Sequence, residues 1–188
     1  IVHAVSVRDV SLHGLHSSGS IHVKGSNTVN VSACSVQDAV LPKTDDGKLL
    51  DLRGGAVTAA HIHVSRSSSK SMGMYVEASG SANVSQVFMD NTTSSSDLVS
   101  ISSGTASVDM NTVSITNCTV QGTGGLLSVK GNTTLARGFV INNSTSKRGK
   151  GLVFEAVASG HVYDVALRNT NTSLSLVTAS SPDVDLQR

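Results

Sequence analysis

Tryptophan is absent from the 188 residues, and aromatic side chains of all kinds make up only 3%. A chain so poor in large rings cannot fill a thick core. It can fill a narrow one with stacked Val, Ile, Leu and Ala. Charge is equally sparse, with 14% of residues ionic and a net charge of +1. No field of one sign therefore steers the chain to nucleic acid or to an acidic membrane. The densest basic run, Lys147-Arg148-Gly149-Lys150, has no aromatic neighbours on which bases could stack, and it reads as a solvated loop. No window approaches the ~18 consecutive apolar residues of a membrane span. No helical period persists over ~10 residues, so crossover helices are not expected. No initiator methionine or signal-peptide profile opens the sequence. The numbering begins inside a repeat, so a processed form or a piece of a longer chain is expected.

Cysteine is scarce too. Cys34 and Cys118 are the only two, and their places in the repeat described below put them three units apart. At ~4.8 Å per strand spacing that is roughly 14 Å, whereas a disulfide needs Cα atoms within ~7 Å. Cys34 is expected as a small core residue, and Cys118 as a free thiol at the surface. Cysteine usage leaves the redox compartment open.

What the chain does have is a period. Met110-Asn-Thr-Val113-Ser-Ile115-Thr-Asn117 sets apolar residues at steps of three and two and ends on an asparagine. The same phrase is found at Val2, Val5, Val7 and Asp9, at Val31, Cys34, Val36 and Asp38, and at Ala59, Ile62, Val64 and Arg66. It recurs at Val84, Val87, Met89 and Asn91, at Ala136, Phe139, Ile141 and Asn143, and at Val162, Val165, Leu167 and Asn169. First positions are separated by 29, 28, 25, 26, 26 and 26 residues. Seven units at a nearly fixed period signal a repeat architecture. The insertion Leu41 to Lys48 is taken to account for the two long early spacings.

Each unit carries a second alternating stretch upstream, such as Leu50-Asp-Leu52 before Gly54, Met74-Tyr-Val76 before Gly80, or Val99-Ser-Ile101 before Gly104. Period-two alternation means short strands with one buried face, and the glycine that follows supplies a turn. A β-unit of ~26 residues that never reverses stacks on its neighbour only in parallel, as a coil of a parallel β-helix. A propeller blade needs ~40–45 residues, and a sandwich needs hairpin turns of the Asn-Gly or Asp-Gly kind, of which Asp46-Gly47 is the only example. One domain over 1–188 is expected, with about seven coils of ~26 residues.

Alternation carried through the end of the phrase places Asn91, Asn117, Asn143 and Asn169 inward, where stacked amides would bond from coil to coil. On this pattern the chain, from Val2 to about Leu176, resembles the right-handed parallel β-helix superfamily with the pectin-lyase-like fold. That resemblance implies right-handed coiling and a corner ladder of asparagines. A hydrolase of that superfamily would carry clustered aspartates on one outward face, since one carboxyl group protonates the leaving oxygen while another activates water. Asp45-Asp46 stands alone in a loop, and Ser159-Gly160-His161 only touches on the expected histidine motif. The 13 acids are scattered. His61 and His63 share a strand face, but no Cys or carboxylate is placed to complete a zinc site of three or four ligands. His3, His22 and His161 read as ordinary polar residues. Ice binding would require a rank of threonines, whereas the outward rank reads Ser6, Ser35, His63, Phe88, Ser114, Val140 and Ala166. No catalytic residue, metal or cofactor is expected.

Asn-x-Ser/Thr sequons begin at Asn30, Asn83, Asn91, Asn117, Asn132, Asn142, Asn143 and Asn171. Each is an acceptor for N-linked sugar if the chain passes through a secretory route. Asn30, Asn83 and Asn142 have outward parity, and Asn132 and Asn171 fall in turns. Asn91, Asn117 and Asn143 are contested, because an inward ladder amide cannot also bear a glycan. The expected protein is extracellular or on the cell surface: a glycosylated β-helical fibre or appendage subunit. Its partners would be N-linked glycans and further coils stacked end to end, with no nucleic acid and no membrane span. An adhesin stalk like autotransporter or polymorphic outer-membrane passengers is the alternative. A pectin-lyase-like carbohydrate-active enzyme is the third reading, and its test would be substitution of Asp45, Asp46 or His161.

Overall fold

The computed structural model describes residues 4–13, 21–41, 47–180 and 184–186. They form a parallel β-helix of about six turns. Each turn has a lead strand, a long strand and a two-residue corner strand. The separate lead strands are Ile21–Lys24, Leu50–Gly54, Met74–Ala78, Val99–Ser103 and Val177–Ser180. The long strands are Ala4–His13, Thr28–Gln37, Ala56–Ser65, Ala82–Asp90 and Ser107–Thr116. In Leu127–Asn142 and Leu152–Arg168 the lead and long strands run together. The corner strands are Val40–Leu41, Ser68–Ser69, Thr93–Ser94, Thr119–Val120, Thr145–Ser146 and Asn171–Thr172. Pairing is parallel at every step, each strand with its equivalent one coil away.

The phrase is the core wall. Val31, Ala59, Val84, Met110, Ala136 and Val162 stack in one column, and Cys34, Ile62, Val87, Val113, Phe139 and Val165 in the next. A third column holds Val36, Val64, Met89, Ile115, Ile141 and Leu167. Most of these are fully buried aliphatics, so each coil fills one layer of a narrow core. The ring pair Phe139 and Phe154 meets edge to face at 5.9 Å within it.

Two expectations about the repeat need correction. The first unit is Val7, Val10 and Leu12, which pair with Val31, Cys34 and Val36, and not Val2, Val5 and Val7. Val2 lies outside the described residues. Val5 pairs with Val29, one alternation earlier in the strand. The long early spacing of 29 thus becomes 24, and the inserted loop accounts only for the 28 that follows. Ser11 rather than Ser6 heads the outward rank. The error arose because Val5 and Val7 satisfy period-two alternation equally well; only pairing across coils distinguishes the two alignments.

The second correction concerns parity. Within each phrase one residue takes a left-handed backbone: Asp9, Ala33, His61, Gln86, Thr112, Gly138 and Asp164. A second does so at the corner: Asp38, Arg66, Asn91, Asn117, Asn143 and Asn169. A left-handed residue breaks the pleat, so two successive side chains face outward before the next turns in. Met110 and Val113 are buried while Asn111 and Thr112 are not. Asn91, Asn117, Asn143 and Asn169 are likewise exposed, and the inward ladder expected of them is absent.

The inward place belongs to the following residue. Ser67, Thr92, Cys118 and Ser144 are buried there, with Thr170 half-buried. Each donates back to a carbonyl two residues earlier: Ser67 Oγ to Ser65 O at 2.8 Å, Thr92 Oγ1 to Asp90 O at 2.9 Å, and Ser144 Oγ to Asn142 O at 2.9 Å. Ser67 Oγ also accepts from Ala39 N at 3.1 Å, and Ser144 Oγ from Cys118 N at 3.1 Å. At the inward corner place these hydroxyls add side-chain bonds between coils to the backbone ones, such as Asn117 N to Asn142 O at 3.0 Å. Cys118 takes the same place, with its thiol directed at Thr116 O at 3.2 Å. Burial pushes that thiol up to about 12, so it is an inert core group and not the surface thiol expected. Cys34 is also free and buried.

The kink carries a measurable strain. A β-branched residue at positive φ is unfavourable, and Thr112 has φ 56°, whereas the equivalent Gly138 at 69° meets no such cost. Releasing a left-handed non-glycine residue returns about 1–2 kcal/mol, and the glycine's greater freedom when unfolded takes back about 0.5–1 kcal/mol. Thr112→Gly is therefore expected to raise the urea midpoint slightly at an unchanged slope. A lower midpoint would show that the kink is not strained.

Candidate functional site: the asparagine corner and its groove

The corner is built by the left-handed residue itself. Asparagine tolerates this conformation better than most residues, and its placement after the last outward strand residue turns the side chain into solvent. Asn91, Asn117 and Asn143 follow one another on successive coils, each two residues before a threonine. Those threonines, Thr93, Thr119 and Thr145, pair in register along the corner strands, with Asn171 next in line. Three complete sequons are thus stacked on one edge.

Asp90 organises the first two. Asn91 Nδ2 donates to Asp90 Oδ2 at 2.8 Å, and Asn117 Nδ2 reaches Asp90 Oδ1 at 3.5 Å. In earlier coils the same corner holds Asp38 and Arg66, joined by two hydrogen bonds of 2.8 Å in the open. The other sequon asparagines also avoid the core. Asn30, Asn83 and Asn171 are exposed, and Asn132 and Asn142 are half-buried.

Beside the corner lies an open groove of about 630 Å³ lined by His61, His63, Phe88, Met89, Asp90, Ser114 and Thr116. Its floor is the outward rank His63, Phe88 and Ser114. Phe88 is 41% exposed in the middle of a polar face. His61 stands at the kink and His63 two residues on, so the pair borders the groove. Among the described residues, no group of three or more His, Cys, Asp or Glu is arranged to hold a metal ion.

A second cluster escaped the sequence reading. Asp51 occupies an outward strand position between Leu50 and Leu52, yet it is only 3% exposed. Arg53 Nε donates to Asp51 Oδ1 at 2.9 Å and Arg53 Nη2 to Asp51 Oδ2 at 3.0 Å. Lys48 Nζ lies 3.4 Å from Asp51 Oδ2, and His22 Nδ1 lies 3.1 Å from it. Tyr75, the next residue in the rank, offers its ring to Lys48 at 4.6 Å and to Arg53 at 5.2 Å. Arg53 Nη1 also reaches Glu77 at 3.3 Å. Burial acts to raise the Asp51 carboxyl, but the Arg53 hydrogen bonds and the charges of Lys48, Arg53 and His22 outweigh it and hold the group below its usual value. The cluster joins three lead strands to the end of the inserted loop at Lys48.

Compared with known protein families, curated proteins and solved structures, the chain matches none. What is shown is therefore the parallel β-helix itself. Asp45 and Asp46 lie outside the described residues, as does His3. His161 is half-buried with its ring stacked on Tyr163 at 6.2 Å. His22, taken as an ordinary polar residue, belongs to the Asp51 cluster. Its role was hidden because it depends on register with a strand 29 residues away.

Proposed function

We propose that this chain is a glycosylated structural element outside the cell, a β-helical rod unit of the non-catalytic, pectin-lyase-like type. The observation that carries this reading is the corner itself: three sequons on successive coils present their amides to solvent on one edge. The core wall is thin and continuous, and every coil is hydrogen-bonded to the next, which makes a stiff element. Leu174 (59% exposed), Leu176 and Val177 (each 39% exposed) supply apolar surface that a further stacked coil would cover. An adhesin stalk is the second reading. It is favoured by the open groove and requires bare asparagines around it.

The test is secretion of the full chain from a eukaryotic host, followed by glycopeptide mapping and electron microscopy. Glycan on corner and strand asparagines together with end-to-end particles is the expected result. Unmodified sequons on short particles closed at both ends would overturn the rod reading.

A further inference from the structure

We propose that Asn91 carries an N-linked glycan whose first sugar folds back onto Phe88, so that the groove beside the corner holds the chain's own carbohydrate. This rests on the glycoprotein reading above and goes further in naming the site and its contact. The starting observation is a misplaced ring. Phe139 and Phe154 are buried, whereas Phe88 lies 41% exposed among histidines, hydroxyls and a carboxylate. An aromatic ring on the wall of a groove, among polar groups that converge on it, is the kind of lining that receives a ligand.

Asn91 is placed to supply that ligand. It stands three residues after Phe88 and takes the left-handed corner conformation at φ 46°. Its Nδ2, the atom that would bear the sugar, points to Asp90 Oδ2 at 2.8 Å, and Asp90 lines the groove together with Phe88. The attachment atom thus lies at the rim. Glycosylation replaces one of the two hydrogens on Nδ2, so the other still serves the bond to Asp90. The sugar arrives from a polyprenyl-diphosphate-linked oligosaccharide donor of the secretory route. The Nδ2–C1 bond forms, the C1–oxygen bond to the diphosphate breaks, the diphosphate leaves with the electron pair, and Nδ2 gives up one proton.

The chemistry of the groove suits a hexosamine ring. One face of such a ring is made of C–H groups, which pack on the negative face of a phenyl ring. Its hydroxyls and acetamide then meet His61, His63, Ser114 and Thr116 around the floor. The volume of about 630 Å³ falls in the range of small-molecule sites. The neighbouring corners lack the partner. The residue three before Asn117 is Ser114, and three before Asn143 it is Val140, in register with Phe88 along the same rank. Asn91 is therefore the corner with both an acceptor amide and an aromatic platform.

The experiment uses the full chain secreted from a glycosylating host, as wild type and as Phe88→Ser, which copies the neighbouring rung. Each is measured with its glycans and after enzymatic removal, with site occupancy mapped by mass spectrometry. Asn91 is expected to be occupied, and removing sugar is expected to lower the thermal midpoint of the wild type by about 2–4 °C more than that of Phe88→Ser. Asn91→Gln is expected to abolish that difference. An unoccupied Asn91 beside occupied sequons elsewhere would overturn the inference while leaving the glycoprotein reading intact. Equal shifts in wild type and Phe88→Ser would overturn it as well. No occupied sequon at all would overturn both.

Discussion

Replacing Asp51 with alanine is expected to destabilise the fold by about 3 kcal/mol at neutral pH, the lower end of the cost of breaking a buried ion pair. The carboxylate is 3% exposed and shared by Arg53, Lys48 and His22, and its removal withdraws the charge around which they are arranged. Arg53 retains Glu77 at 3.3 Å and His22 is half-exposed, which keeps the loss from being larger. The pH dependence has a definite sign. The folded carboxyl titrates below its ordinary value, so its stabilisation is fully present above the unfolded value of ~3.9 and is lost as pH falls through the folded one. Urea unfolding of wild type and Asp51→Ala should therefore differ most near neutrality, and the gap should narrow in acid. A gap of the same size at every pH would show that Asp51 acts through packing and not through charge.

Phe139→Ala should cost about 3–5 kcal/mol, the usual price of removing a buried ring. Phe139 is fully buried in a column whose neighbouring rungs are Val113 and Val165, and it meets Phe154 edge to face. Both neighbouring coils are held by continuous backbone pairing, so they cannot collapse into the space. Phe139→Val, which copies the adjoining rungs, should cost less because the cavity is smaller. Denaturant midpoints of the two variants test this. A small loss for alanine would mean that the solenoid can compress locally, contrary to the close packing of its layers.

Much of the fold was legible because a solenoid repeats its demands. The steps from Met110 to Val113 to Ile115 recur because every coil must place three inward side chains in the same layer, and a sequence cannot satisfy that without displaying the period. The lead strands were legible for the same reason. The first coil was misaligned because alternation alone does not distinguish Val5 from Val7. The candidate site was half legible. Sequons are visible as text, whereas the outward turn of Asn117 depends on a single backbone angle.

The stretch Met110 to Asn117 shows where the division falls. By itself the sequence determined the parallel β-helix, its period and its thin aliphatic core, since these follow from side-chain periodicity and from the scarcity of rings. Only the tertiary structure decided which corner residues face inward, because a left-handed residue reverses the alternation that sequence parity assumes. It also decided that Asp51 is buried although alternation points it outward, whereas the outward place of Phe88 already followed from alternation. The burial of Asp51 depends on what lies across a coil, about 26 residues away in the chain and ~4.8 Å away in space.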